Sequence, residues 1–246
     1  MILELMELSK SYKKKTALTQ VDLQIEEGEC VVLCGGNGAG KSTMIKLLTG
    51  AETPSTGKVV VHSGQKKAFA YMPDQMNFPP ELTPIEILQY YGQFLKKGHE
   101  SIKFVLEKVG LWDERNQRVG GFSKGMSQRL NLAQCLLADT DIYILDEPTN
   151  GLDPYWVIQL KQIIKELKER NKTVIVSSHI MRDAIEIADK VLILFNGKVK
   201  SYCTLDKVYK EYRCSSLEEV FLSIHESEQQ KKREGEYNGE KRFVSG

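Results

Sequence analysis

The sequence predicts an α/β domain with a mostly parallel core sheet, and three observations predict it. The apolar run Cys30–Cys34 leads into the glycine-rich stretch 35–40 and then Ser42–Leu48, whose Met44, Ile45, Leu47 and Leu48 read as a buried helix. Two more short apolar runs, Ile142–Leu145 before Asp146 and Thr173–Val176 before Ser177, have the composition of strands buried on both faces. Between them Trp156, Val157, Leu160, Ile163, Ile164 and Leu167 recur at the spacing of one helix face. Strands and helices alternating in this way wind into a parallel sheet.

Taken along the chain, residues 78–138 carry no strand pattern. Thr83-Pro84-Ile85-Glu86 is a capping box with proline at the first helical position, opening a helix with Ile85, Leu88 and Leu95 on one side. Ile102, Val105, Leu106 and Val109 form a second apolar stripe that Gly110 breaks. A helical subdomain over about 78–138, inserted into the α/β core, is the expectation. Asp153 and Pro154 supply an N-cap and first-turn proline for the helix that follows Asp146. Val191–Phe195, Asn196-Gly197 and Lys198–Tyr202 read as a hairpin closed by an NG turn. From Glu226 the chain is polar and charged with little to bury, so the domain is expected to span 1–225 and 226–246 to form a flexible tail.

Composition excludes several classes. With 34 Lys+Arg against 33 Asp+Glu the net charge is +1, which gives no basic field for nucleic acid. The longest apolar runs hold five residues, against about 20 for a bilayer span. The start MILELMELSKSYKKK has no signal-peptide order, and five irregularly spaced cysteines without a CxxC fit reduced thiols better than disulfides or zinc. A cytoplasmic domain is expected. Cys30 and Cys34 read as small core residues, and His62, His99 and His225 have no partners at recognisable spacing.

Gly35-Gly36-Asn37-Gly38-Ala39-Gly40-Lys41-Ser42 matches GxxxxGK[ST], the P-loop, with Thr43 next to it. Glycines let successive N–H groups turn toward phosphate oxygens, and the helix opening at Lys41 aims its positive end at the same point. Lys41 then reaches the outer phosphates and the Ser42 hydroxyl suits Mg²⁺. Kinases, GTPases, helicases and transport ATPases all share this loop. The GTPase class is disfavoured, because Asn171-Lys172-Thr173-Val174 lacks the aspartate that reads guanine.

The order of later motifs narrows the class. Phe122-Ser123-Lys124-Gly125-Met126-Ser127-Gln128-Arg129 precedes Ile142-Tyr143-Ile144-Leu145-Asp146-Glu147-Pro148, then come Gly151-Leu152-Asp153-Pro154 and His179. Over about residues 1–220 this set resembles the nucleotide-binding domain of ATP-binding cassette (ABC) transporter ATPases, of exporter type. The resemblance implies a P-loop NTPase fold with an N-terminal antiparallel β region. It also implies an ATPase that binds ATP and Mg²⁺, pairs with a second such subunit and drives a separate transmembrane permease from the cytoplasmic face. Glu147 would be the general base, His179 a contact to the γ-phosphate, Asp146 a Mg²⁺ ligand through water, and Tyr12 the ring stacked on adenine. Ser123, Lys124, Gly125 and Met126 would form the signature segment, which binds ATP held by the other copy, and Asp153 would lie where the copies meet.

Three departures from the family pattern stand out. The usual LSGGQ reads Phe122-Ser123-Lys124-Gly125-Met126 here, keeping the hydroxyl and the second glycine. In Tyr71-Met72-Pro73-Asp74-Gln75 an acid replaces the family's glutamine; Gln75, one place late, is named for the metal-side contact, with the choice between Asp74 and Gln75 open. The stretch from Gly57 to Tyr71 is short. Two rival readings are weighed. A non-transport ABC protein of translation or DNA repair would carry two cassettes or a long coiled coil, and a regulatory subunit would bind ATP without releasing phosphate.

Overall fold

The computed structural model describes residues 1–246 except 14, 66–67, 179–184 and 244–246, with the backbone alone for 231–243. Two long strands, β1 (Leu3–Tyr12) and β2 (Lys15–Ile25), pair antiparallel, and β4 (Thr56–Val61) adds to the other edge of β1. Between β2 and β4 lie β3 (Cys30–Cys34), the glycine-rich loop and α1 (Lys41–Leu48). Then come β5 (Phe69–Met72), α2 (Pro84–Leu95), α3 (His99–Lys108), a 3₁₀ turn (Val119–Gly121) and α4 (Lys124–Leu137). The second half supplies β6 (Ile142–Asp146), α5 (Pro154–Glu169), β7 (Thr173–Ser178), β8 (Lys190–Phe195), β9 (Lys198–Cys203), α6 (Leu205–Tyr212) and α7 (Leu217–Phe243).

The larger sheet runs β5-β6-β7-β3-β8-β9, parallel except for the β8–β9 hairpin. Its middle strands are apolar without interruption because both faces are covered. Alternate residues serve opposite faces: Cys30, Val32 and Cys34 pack toward the helices, whereas Val31 and Leu33 pack with α1 and the antiparallel sheet. Burial pushes the Cys30 and Cys34 thiols up to about 12, so both remain protonated, apolar fillers. Among the described residues no helix is long and apolar enough to cross a membrane.

The capping box is formed: the Glu86 carboxylate accepts from the Thr83 N–H at 2.8 Å, and Thr83 Oγ1 accepts from the Glu86 N–H at 3.4 Å. Those bonds from Thr83 hold the Glu86 carboxyl below its ordinary value. Thr83→Ala is expected to cost about 1 kcal/mol. Thermal unfolding of the nucleotide-free protein should show the midpoint lowered by about 2–4 °C.

Two details differ from the sequence reading. The buried side of α2 is set by Ile87, Leu88 and Gly92, with Ile85 and Leu95 half-buried at its edges. A Cβ on Gly92 would lie 2.8 Å from the Lys97 carbonyl, which is how the chain turns so closely into α3. The charged run from Glu226, expected as a flexible tail, continues α7 to Phe243. Leu217, Val220 and Ile224 anchor the first turns in the core, and a helix once nucleated extends at small cost. Lys200 also pairs with Glu228 at 2.7 Å.

Candidate functional site

Pairing register places Leu33, Ser177 and Asp146 in one row across β3, β7 and β6. The site therefore lies beyond the carboxyl ends of the central strands, where open parallel sheets hold their ligands. The glycine-rich loop leaves β3 there and enters α1 through Gly40, at φ 113° and with no side-chain cap. A Cβ on Gly40 would meet Leu18 Cδ2 at 2.8 Å and the Ala17 carbonyl at 2.9 Å, so the position needs glycine for both shape and backbone. The first N–H groups of α1 are thus left for a ligand. The β8–β9 turn pins the loop from outside, Gly197 N–H donating to Ala39 O at 2.9 Å.

Gly36, Asn37, Gly38, Gly40, Lys41, Ser42 and Thr43 line one cleft of about 900 Å³, together with Tyr12, Asp74, Asp146, Glu147 and Asn150. That is room for a ligand of nucleotide size. Gly35 and Ala39 support the loop without lining the cleft, and the Gly35 carbonyl accepts from Lys41 Nζ at 2.6 Å. Tyr12, at the end of β1, keeps 39% of its surface exposed, with Lys10 Nζ 5.0 Å from the ring centre.

Ser177 organises the acidic side. Its hydroxyl donates to Asp146 Oδ1 and accepts from the Glu147 N–H at 2.9 Å. Tyr71 donates to Asp146 Oδ2 at 3.5 Å. Burial raises the Asp146 pKa above its ordinary value, Ser177 opposes the shift, and Glu147 and Asp74 add to it. A raised native pKa means that Asp146 favours the fold less as pH climbs from the ordinary aspartate value through the raised one; a nearby cation reverses that. Glu147 has φ 49°, a left-handed backbone uncommon for a non-glycine residue.

Several predicted residues fall elsewhere. Gln75 is exposed and outside the cleft lining; Asp74 lines it and accepts from Asn150 Nδ2 at 2.7 Å. Ser123–Met126 do not line the cleft either. Ser123 caps α4, accepting from the Met126 N–H at 3.2 Å, and a Cβ on Gly125 would lie 2.9 Å from the Gly151 carbonyl. Asp153 caps α5, accepting from the Trp156 N–H at 2.9 Å. His179 lies outside the described residues. Sequence reasoning missed Ser177, Asn150 and Asn196 as parts of this site; for Ser177 the usable signal was a hydroxyl ending an otherwise apolar strand.

Residues 18–150 match the family described as ABC transporter. The lantibiotic transport ATP-binding protein SrtF of Streptococcus pyogenes is 34% identical over 225 residues, 89% of this chain and 96% of that protein. A solved ATP-binding subunit of an ABC transporter superposes with TM-score 0.84 at 30% identity, covering 92% of this chain and all of that one. An ATP-binding cassette solved as a dimer, in a post-hydrolysis state bound to ADP and Pi, superposes with TM-score 0.74 at 25% identity over 83% of this chain and 99% of its own. The chain belongs to the ABC transporter family, as one of its ATP-binding, ATP-hydrolysing subunits.

Proposed function

We propose that the chain pairs with a second ATPase subunit, most simply another copy of itself, around two MgATP, and works a separate membrane-spanning permease from the cytoplasmic face. One observation carries this reading. Lys41 and the α1 N-terminus share one cleft with Asp146 and Glu147, while Ser123–Met126 lie outside its lining. A lone copy thus brings phosphate-binding and acidic groups together without its own signature segment, which a second copy would provide. Because neither copy is complete alone, hydrolysis waits for closure.

Within each cleft the loop amides and Lys41 bind the phosphates, and Tyr12 stacks on the adenine. Ser42 and Asp146 offer the hard oxygen donors that suit Mg²⁺, and a divalent cation there offsets the cost of ionising half-buried Asp146. Asp74, which lines the cleft, would take the metal-side role that the sequence reading gave to Gln75. Bound Mg²⁺ supplies charge neutralisation at the outer phosphate oxygens. Glu147 takes the proton from the attacking water, and His179 holds the terminal phosphate for in-line attack. SrtF, named for lantibiotic transport, supports an exporter-type assignment.

Purified protein mixed with MgATP is expected to release phosphate and ADP. ATP binding without phosphate release would overturn hydrolysis and leave a regulatory subunit.

A further inference from the structure

Gln128 is 7% exposed, on the face of α4 that also carries buried Asn131, Leu132 and Cys135. Its Nε2 points at two carbonyls of the turn after β6, Glu147 O at 3.3 Å and Pro148 O at 3.5 Å. A buried amide is retained where it has carbonyls to serve. The nearer of the two belongs to Glu147, the residue with the left-handed backbone. A left-handed glutamate persists only where neighbours on both sides fix it. On the N–H side Ser177 does so, through its hydroxyl at 2.9 Å and its carbonyl at 3.2 Å. On the carbonyl side the Asn150 N–H donates at 3.1 Å, and Gln128 is the side chain that reaches it from α4. The same turn is fastened to the start of α4, since a Cβ on Gly151 would lie 2.7 Å from Lys124 Cγ.

We infer that Gln128 is a positioning residue for hydrolysis: its amide fixes the Glu147–Pro148 peptide and so the direction in which the Glu147 carboxylate points. The inference rests on the reading of Glu147 as general base. Gln128 lies outside the cleft lining, so its effect falls on turnover and not on nucleotide affinity.

Gln128→Met keeps length and volume and removes the donors. MgATP hydrolysis by the full chain should show KM unchanged within about twofold and kcat lowered about 10- to 100-fold, the scale expected of a misaimed catalytic group. Gln128→His, which keeps a ring N–H donor, should recover most of the loss. In a Glu147→Gln background, adding Gln128→Met should change the residual rate by less than about twofold, because both act through one carboxylate. If Gln128→Met gives no cooperative melt, Gln128→Leu, which also lacks the donors, carries the comparison. Full kcat in Gln128→Met beside an inactive Glu147→Gln would overturn the inference and leave the base assignment standing. So would an equal loss in both backgrounds. Normal turnover in Glu147→Gln would instead overturn the base assignment, and the positioning role with it.

Discussion

Glu147→Gln is expected to bind ATP as the parent does and to hydrolyse it about 10²–10⁴-fold more slowly, the usual worth of a general base. The substitution keeps size and shape, so the turn held by Ser177 and Gln128 through backbone atoms is untouched. In the proposed site phosphate affinity comes from the loop amides and Lys41, none of which the substitution alters. One electrostatic consequence works in favour of binding. Glu147 helps raise the Asp146 pKa, so its neutralisation lets Asp146 ionise more readily. Filter binding of ATP and single-turnover phosphate release separate the two steps. Near-normal release from a folded Glu147→Gln protein would remove the residue from the chemistry.

The parallel half of the fold was legible because burial on both faces forces continuous apolar runs: Cys30–Cys34, Ile142–Leu145 and Thr173–Val176 each became a central strand. Strands β1 and β2 announce themselves less. Their pairing slips at several points, with Glu7 and Gln20 at positive φ, and a bulged register blurs the alternation that marks a strand. In the site, the loop and the acidic pair follow from residue type and order. What holds them does not. Ser177 meets Asp146 and Glu147 only because β6 and β7 pair in one register, and Asn150 meets Asp74 only after the turn following β6 folds back toward β5. The choice between Asp74 and Gln75 was likewise a matter of direction, set by the irregular chain beyond the end of β5, where Asp74 lines the cleft and Gln75 does not.

Ser123→Arg is expected to abolish ATP-driven pairing while leaving nucleotide binding by the single copy intact. Ser123 is exposed at the N-terminus of α4, and its segment does not line its own cleft. An arginine there can weaken affinity in the single copy only indirectly. At a seam between two copies the same guanidinium would be buried without a partner, at a cost of several kcal/mol and so about 100-fold or more in dimer affinity. The variant also loses the cap that Ser123 gives the Met126 N–H, worth about 1 kcal/mol. Ser123→Ala removes the cap and one hydroxyl donor to the other copy's ATP but adds neither bulk nor charge, so it should pair more weakly than the parent yet still pair, which isolates the steric and charge effect. Light scattering in the Glu147→Gln background, where ATP is not consumed, reads the result directly. Mass should double with ATP in Glu147→Gln and in its Ser123→Ala derivative, and stay that of one chain in the Ser123→Arg derivative. Equal doubling in all three would mean that residues 123–126 lie away from the seam.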